Sequence, residues 1–277
     1  MRCAVIQMTS QKDVGVNLKA AEKLIAQAAK LQAELVVLPE MFACLGVSDQ
    51  YQLAVSRFTP QDVLAVLSAW SKHYQLYIVA GSMPTLTSQS EHKVHASCIV
   101  FSPQGKQLAS YEKIHLFDVE VADEKGSYKE SNTFLAGTKP KNVMIKDHKL
   151  GLSICYDLRF PELYQEYMAQ GCQVMSVPSA FTYQTGKAHW EILLRARAIE
   201  TQSFILAANQ VGVHEDGRRT WGHSMIVSPA GVVLAELGGD EPGVAMAQLD
   251  FKALQQCRQR MPLQQHKRLK EAVNHSV

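Results

Sequence analysis

The 277-residue chain is 47% hydrophobic and 19% charged, which predicts a large packed core and excludes an intrinsically disordered protein. Its formal net charge of +2 is nearly neutral and its basic residues are dispersed except near the C-terminus, so no nucleic-acid or membrane partner is expected. Six cysteines are scattered without a CxxC pair, which argues against a structural zinc site and predicts free thiols in a reducing compartment: Cys3, Cys44, Cys98, Cys155, Cys172 and Cys257.

The first eight residues contain too short an apolar run for a secretory signal peptide. No apolar stretch elsewhere in the sequence approaches the length that crosses a membrane. We therefore expect a cytoplasmic protein.

Strands and helices alternate along the first part of the chain. Short apolar runs predict strands over residues 3–8, 34–38 and 76–81. Helical periodicity predicts helices over residues 13–32 and 60–74, and the first has Asp13 as its cap and an apolar face of Leu18, Ala21, Ile25 and Ala28. Residues 94–101 and 106–112 flank Ser-Pro-Gln-Gly and predict an antiparallel hairpin.

The second part of the chain mixes the same elements. We predict strands over residues 143–146, 150–154, 174–177, 204–208, 222–228, 232–236 and 244–249. Helices are predicted over 161–169, 187–201 and 251–260, with a polar tail from Pro262. The helix 187–201 has the clearest pattern, with Trp190, Leu193, Leu194, Ile199 and a Glu191/Arg195 pair four residues apart. Parallel units mixed with hairpins imply an α/β domain, built on one large mixed sheet or on two stacked sheets.

Three predicted strands are followed by side chains that can carry chemistry. The strand at 34–38 leads to Glu40, the strand at 106–112 leads to Lys113, and the strand at 150–154 leads to Cys155. Ligand sites of open α/β sheets form beyond the carboxyl ends of strands, so the three are candidates for one site. A thiol needs a base or a nearby cation to become nucleophilic, and Glu40 and Lys113 could supply these. The pattern predicts nucleophilic catalysis at Cys155.

Each of these residues also has an ordinary structural interpretation. Cys155 could be a small buried hydrophobe at a strand end, while Glu40 and Lys113 could be solvated charges. His115 is an alternative partner for Cys155, although its position at a strand end favours a packed or surface histidine. Spacing alone does not place the three residues in one pocket. Their joint occurrence at strand ends favours the catalytic interpretation.

Four segments extend this pattern: Leu-Pro-Glu at 38–40, Tyr-Glu-Lys-Ile-His-Leu-Phe-Asp at 111–118, Glu-Ser at 130–131 and Ile-Cys-Tyr-Asp-Leu-Arg-Phe-Pro-Glu-Leu at 154–163. As a set they resemble the nitrilase superfamily of carbon–nitrogen hydrolases, and the resemblance runs from residue 2 to about residue 268. It implies an αββα sandwich of two mixed sheets flanked by helices. The hydrolase domain would span residues 1–268, with a polar tail over 269–277.

The resemblance also implies roles for individual residues. Glu40, Lys113 and Cys155 match the catalytic triad of the superfamily, and Glu130 matches a second glutamate that orients it. The Tyr156 backbone N–H would help to hold the oxyanion, and Phe181 and Thr182 would line the substrate pocket. The reaction needs no metal or organic cofactor. The superfamily usually forms homodimers through helices that flank the core, here those that follow Pro161 and Lys187.

Other segments narrow the resemblance to the deaminated glutathione amidases of this superfamily: 179–181, Gly186, 188–191, 195–202 and 222–225. One departure is Lys187, where proline is expected. Cleavage of deaminated glutathione would release 2-oxoglutarate and cysteinylglycine. Two alternatives are an ω-amidase acting on α-ketoglutaramate and an inactive scaffold, and the intact set of four residues argues against the scaffold. Lys187, Arg218 and Arg219 are candidate cations for the carboxylate of the leaving dipeptide.

Overall fold

A computed structural model describes residues 1–59, 61–121 and 126–269 of the chain. Its first part contains the alternating strands and helices that the sequence predicts, together with several short strands. The elements are β1 (Arg2–Gln7), α1 (Val14–Lys30), β2 (Leu35–Val37), α2 (Gln50–Arg57), α3 (Val63–Tyr74), β3 (Tyr77–Val79), β4 (Met83–Thr85), β5 (Val94–Phe101), β6 (Gln107–Glu112), β7 (Asp118–Glu120), β8 (Ser127–Lys129) and β9 (Phe134–Leu135).

The second part begins with a strand pair and ends with two helices. Its elements are β10 (Lys141–Ile145), β11 (His148–Leu152), α4 (Pro161–Ala169), β12 (Val174–Ser176), α5 (Tyr183–Thr201), β13 (Phe204–Ala207), β14 (Val211–Val213), β15 (Arg219–Trp221), β16 (Met225–Val227), β17 (Val233–Glu236), β18 (Gly243–Gln248), α6 (Phe251–Arg260) and α7 (Leu263–His266). None of the helices in the described part of the chain is long and apolar enough to cross a membrane.

Two mixed sheets form the centre of the molecule. The first has the order β18-β1-β2-β3-β5-β4, with β6 and β9 also paired to β5, and the second has the order β10-β11-β12-β13-β16-β17. Strands β1, β2 and β3 are parallel, as are β11, β12 and β13. Each sheet therefore contains a parallel core bordered by antiparallel strands.

The two sheets pack face to face, because side chains alternate between the two faces of each strand. In β1, Val5 belongs to the apolar cluster shared with the second sheet, whereas Ile6 belongs to the cluster that contains Ala21 and Ile25 of α1. Trp190 of α5 packs against the second sheet. The order of layers is helix, sheet, sheet, helix, which confirms the predicted αββα sandwich and selects two stacked sheets over one large sheet.

Local sequence signals account for many of the helix and strand boundaries. Asp13 caps α1 as predicted, its carboxylate accepting the Val16 N–H at 2.9 Å. The predicted face of α1 is buried, with Leu18 partly so. The predicted hairpin is formed by β5 and β6, and the predicted Glu191–Arg195 ion pair is present at 2.9 Å.

Several predictions of elements were wrong. Of the predicted strand over 222–228 only β16 (Met225–Val227) forms, because Gly222 and His223 have positive φ and end the extended chain that follows β15. Helix α5 begins at Tyr183, four residues earlier than predicted, and its Ile199 is 50% exposed. Helix α2 and the hairpins β7–β8 and β14–β15 were not predicted, and α7 lies in the expected polar tail. The predicted helix start at Pro60 and residues 270–277 of the tail lie outside the described residues.

Candidate active site

Cys155 occupies a strained turn after β11. The strand ends at Leu152, and a 3₁₀ turn over Cys155–Arg159 begins at the cysteine itself. The φ of Cys155 is +47°, a left-handed value that is costly for a residue with a side chain and that clusters at functional positions. The Cys155 N–H donates to the Pro178 carbonyl oxygen at 2.8 Å, which fixes the turn against the end of β12.

Glu40 follows β2 and is held from both its backbone and its side chain. Its carbonyl oxygen accepts a hydrogen bond from Gln210 Nε2 at 2.9 Å, and its Oε2 accepts the Ala180 N–H at 2.8 Å. Behind it the chain approaches so closely that a Cβ on Gly81 would lie 1.9 Å from the Pro39 carbonyl oxygen. Only glycine fits there, so the turn that carries Glu40 depends on Gly81.

Lys113 follows β6 and joins two carboxylates. Its Nζ donates to Glu40 Oε1 at 2.9 Å and to the two oxygens of Glu130 at 2.9 and 2.8 Å. The residue is 1% exposed. Burial lowers the pKa of the Lys113 ammonium, but the charges of Glu130 and Glu40 outweigh burial and hold that pKa well above its ordinary value. Lys113 is therefore a fixed positive charge.

Glu130 begins a 3₁₀ turn, Glu130–Asn132, directly after β8. Besides Lys113, it accepts the Phe117 N–H at 2.7 Å. Burial and the nearby Glu40 raise the pKa of Glu130, while the Lys113 ammonium opposes the rise. Two carboxylates thus share one ammonium. The ion pair between Glu40 and Lys113 is therefore weaker than it would be if Glu40 were the only carboxylate.

The thiol of Cys155 lies beside this cluster, close enough for the charges of Glu40 and Lys113 to act on its pKa in opposite directions. Burial raises the pKa of the thiol well above its ordinary value, Glu40 raises it further, and Lys113 opposes them. The resting group is the neutral thiol, with a carboxylate placed to accept its proton. An adjacent base of this kind can activate a thiol as a nucleophile.

A cavity of about 610 Å³ opens over the thiol. Glu40, Lys113, Glu130 and Cys155 all border it, as do the predicted Tyr156, Phe181 and Thr182. Three further cationic side chains line its wall: Lys129, Arg159 and Arg218. The arrangement combines a thiol, a base, a fixed cation and room for a substrate that carries negative charge, which suits acyl transfer.

Comparison with known proteins agrees with this chemistry. The model of the carbon–nitrogen hydrolase family matches residues 2–259. The chain belongs to the carbon–nitrogen hydrolase family. A deaminated glutathione amidase from Synechocystis sp. is 43% identical to this hydrolase over 267 residues, which are 95% of this chain and 97% of the relative.

Solved structures carry the same fold. The C. elegans NitFhit protein matches the hydrolase with a TM-score of 0.89 at 36% identity, over 96% of this chain and 65% of that one. Saccharomyces cerevisiae Nit3, a member of branch 10 of the nitrilase superfamily, matches with a TM-score of 0.85 at 32% identity, over 95% of this chain and 94% of that one. The resemblance to the nitrilase superfamily is confirmed.

The three candidate cations for the carboxylate of the leaving group, Lys187, Arg218 and Arg219, lie in different places in the structure of the hydrolase. Arg218 borders the cavity. Lys187 is exposed and lines a separate hollow of about 260 Å³ beside α5, and the exposed Arg219 has its Cζ 3.7 Å above the Tyr183 ring. Arg159 was not singled out from the sequence, although it lies in the quoted segment 154–163. Because Arg159 follows Cys155 by one short turn, its position in the sequence could have marked it as a residue of the site.

The alternative partner for the thiol, His115, faces a different group. Its Nδ1 lies 2.7 Å from Asp157 Oδ1, and its ring stacks on Phe160 with a centroid distance of 3.7 Å. Asp157 is fully buried and also accepts the Ile154 N–H at 2.8 Å. His115 does not border the cavity over the thiol, and its described contacts are with Asp157 and Phe160 rather than with Cys155.

Within residues 1–59, 61–121 and 126–269, no set of three or more His, Cys, Asp or Glu side chains is arranged to hold a metal ion.

Proposed function

We propose that the chain is a thiol amidohydrolase that cleaves deaminated glutathione to 2-oxoglutarate and cysteinylglycine through a thioester on Cys155. The observation that carries the chemistry is that Cys155, Glu40 and Lys113 border one cavity, where Lys113 Nζ donates to Glu40 Oε1 at 2.9 Å. The proposed substrate is supported by the 43% identity to a relative of that activity and by the charges of the cavity.

Acylation begins with the transfer of the Cys155 thiol proton to Glu40. The sulfur attacks the amide carbonyl carbon, and the carbonyl electrons move to oxygen. The resulting oxyanion is stabilised by the Lys113 ammonium and by the Tyr156 backbone N–H, for which the described residues supply no hydrogen-bond acceptor. Glu40 then gives the proton to the amide nitrogen, the carbon–nitrogen bond breaks, and cysteinylglycine leaves.

Deacylation repeats the sequence with water. Glu40 accepts a proton from water, whose oxygen attacks the thioester carbonyl carbon. The second oxyanion meets the same two donors, and collapse expels the Cys155 sulfur, which regains the proton from Glu40. The products are 2-oxoglutarate and the original thiol, so each residue ends in its starting state.

Glu130 acts through Lys113 in this mechanism. Its two oxygens lie 2.9 and 2.8 Å from Lys113 Nζ, and the Phe117 N–H holds one of them at 2.7 Å. These contacts keep the ammonium charged and in place while the proton on Glu40 comes and goes. Without Glu130, the Lys113 ammonium would be paired with Glu40 alone. It would then lose its ion pair, and with it its fixed position, whenever Glu40 is protonated.

The substrate is argued from size and charge. A cavity of about 610 Å³ is in the range that holds a ligand of tripeptide size. Deaminated glutathione has a carboxylate at each end, and four cationic side chains line the cavity against three carboxylates. Arg159 follows Cys155 by one 3₁₀ turn, and its Cζ lies 5.5 Å from the Phe181 ring. We assign Arg159 to the carboxylate of the 2-oxo acid part, which is close to the scissile bond.

The test is turnover of deaminated glutathione and of α-ketoglutaramate by the purified protein, with 2-oxoglutarate as the measured product. Both amides would give the same thioester, so only the leaving group differs. We expect kcat/KM to be at least about tenfold higher for deaminated glutathione, a difference of about 1.4 kcal/mol. Equal efficiencies, or a preference for α-ketoglutaramate, would instead assign the protein to the ω-amidases. Turnover of neither amide would contradict both assignments.

A further inference from the structure

The cavity has an arginine at each end of an aromatic wall. The Cζ of Arg159 lies 6.0 Å from the Tyr156 ring, and the Cζ of Arg218 lies 5.7 Å from the Tyr128 ring. Phe117 stands between these rings, with its centroid 5.1 Å from Tyr156 and 5.2 Å from Tyr128. The two guanidinium groups are thus separated by a row of three rings along one wall of the cavity.

Arg218 is held loosely by the protein itself. Its Nη2 lies 3.5 Å from Asp216 Oδ2, which is long for a charge-assisted hydrogen bond. Its Nε is buried and has no hydrogen-bond partner among the residues that the structure describes. The side chain is only 18% exposed. A buried donor without an acceptor costs free energy, and a ligand carboxylate in the cavity would remove that cost.

The backbone that carries Arg218 is fixed more firmly than its side chain. His214, at the start of the β14–β15 turn, bonds the Ser10 carbonyl oxygen and the Thr220 hydroxyl, each at 2.8 Å. Against the same turn, a Cβ on Gly46 would lie 3.1 Å from Asp216 Cβ. The guanidinium therefore stands on a rigid support while its hydrogen-bonding capacity is largely unused, as a preorganised anion-binding group should.

We infer that Arg218 binds the C-terminal carboxylate of the leaving peptide and thereby selects amides of a 2-oxo acid whose leaving amine is anionic. The inference rests on the proposed function. A leaving dipeptide extends up to roughly 7 Å from the scissile nitrogen, so its carboxylate needs a cation well away from the thiol. Arg159, one turn from Cys155, suits the short acyl side, and Arg218, beyond Phe117 and Tyr128, suits the longer side.

Three other cations fit this role less well. Lys187 and Arg219 do not border the cavity, and Arg219 already lies over the Tyr183 ring. Lys129 borders the cavity but is an exposed side chain on β8. An exposed ammonium is strongly hydrated, so binding a carboxylate gains it little free energy. The guanidinium of Arg218 is partly desolvated and gains more from the same contact.

The experiment compares two substrates that differ only in the proposed contact: deaminated glutathione and its derivative in which the glycine carboxylate is a carboxamide. Wild type, Arg218→Met, Arg218→Lys, Lys129→Met and the adjacent matched control Arg219→Met are measured with both. For Arg218→Met we expect kcat/KM to fall at least about tenfold more on the free acid than on the carboxamide, about 1.4 kcal/mol. Arg218→Lys should keep part of this discrimination, because the charge remains without the fork.

The substrate comparison separates binding from folding, since a merely structural defect lowers both efficiencies alike. Equal losses on the two substrates in Arg218→Met would overturn the inference, as would selective loss in Lys129→Met or Arg219→Met with none in Arg218→Met. A wild type that hydrolyses deaminated glutathione no better than α-ketoglutaramate marks the failure of the proposed function itself. A wild type that prefers deaminated glutathione but treats acid and carboxamide alike refutes the role of Arg218 alone.

Discussion

Two buried carboxylate networks flank Cys155, and they differ in what they leave for a substrate. Asp157 is fully buried and accepts hydrogen bonds from the Tyr111 hydroxyl at 2.7 Å, the Ile154 N–H at 2.8 Å and the His115 N–H at 3.0 Å. Glu40 instead borders the cavity together with Cys155 and accepts a hydrogen bond from the Lys113 ammonium at 2.9 Å. Burial is common to both networks, so burial alone does not mark the reactive carboxylate.

The difference assigns separate tasks to the two networks. Asp157 uses its oxygens to hold the backbone on either side of Cys155, which supports the left-handed turn at φ +47°. In the same network burial, followed by the charge of Asp157, raises the pKa of the Tyr111 hydroxyl well above its ordinary value, so that it stays a donor. In the proposed reaction Glu40 exchanges a proton with the thiol, the amide nitrogen and water, beside the constant charge of Lys113. Mutations should therefore separate stability from turnover.

The largest effect is expected for Cys155→Ala, which removes the proposed nucleophile that lies between the networks. Turnover should fall to background, because no acyl-enzyme can form. Cys98→Ala is the matched control, since Cys98 is fully buried in β5 away from the cavity. It should keep kcat and lower the thermal midpoint slightly. Residual turnover in Cys155→Ala above that of a mock purification would contradict the nucleophile assignment.

The next largest effect is expected for Lys113→Met, which keeps the apolar stem and removes the charge. The oxyanion exists only near the transition state, so kcat should fall by roughly a hundredfold or more. Lys129→Met, at the cavity wall but outside the cluster, serves as the control for general loss of positive charge. A change in KM with kcat intact would make Lys113 a substrate anchor instead.

Smaller effects, opposite in order for stability and for turnover, are expected for Asp157→Asn and Glu40→Gln. Asp157→Asn turns one acceptor into a donor that faces other donors, and the free energy of unfolding should fall by about 2 kcal/mol or more. Glu40→Gln should destabilise less, because Lys113 keeps Glu130, yet it should lose more turnover. Chemical denaturation and steady-state kinetics on both variants measure the crossing. If the same variant loses more in both measurements, the two networks do not have separate tasks.

The smallest effect concerns pH. Burial and Glu40 raise the pKa of Cys155 above its ordinary value of 9.0, so above pH 9 the unfolded chain binds fewer protons than the folded one. The stability that is present below pH 9 is lost as pH rises, and the unfolding free energy of wild type should fall by about 1 kcal/mol more than that of Cys155→Ala between pH 9 and 10. The other buried cysteines contribute equally to both proteins. Parallel curves of unfolding free energy against pH would show that the thiol is not perturbed.

The sequence was informative where chemistry follows directly after a strand. Glu40, Lys113 and Cys155 could be predicted from strand ends and recurring segments, and the structure brings them together. It does so across two sheets, because β2 and β6 lie in the first sheet and β11 in the second. Strand spacing carries no information about which sheet a strand joins, so the location of the site between the sheets could not be predicted.

The substrate side of the cavity was less accessible from sequence. Lys187, Arg218 and Arg219 are all cationic side chains, and the sequence does not distinguish them as ligands. Lys187 lies on α5 and Arg219 on β15, and of the three only Arg218, in the turn between β14 and β15, borders the cavity. Similarly, Asp157 and His115 lie in the recognised segments, yet their mutual contact depends on tertiary structure. Motifs locate reactive groups, whereas three-dimensional packing decides which charges a substrate meets.

The most direct test of thioester catalysis is rapid-quench mass spectrometry of the wild-type protein during turnover of deaminated glutathione and, separately, of α-ketoglutaramate. We predict a 2-oxoglutaryl adduct on the peptide that contains Cys155, with the same mass from either substrate because only the leaving amine differs. The adduct should be absent from Cys155→Ala. Turnover without an adduct under conditions that trap thioesters, or an adduct on another residue, would contradict catalysis through Cys155.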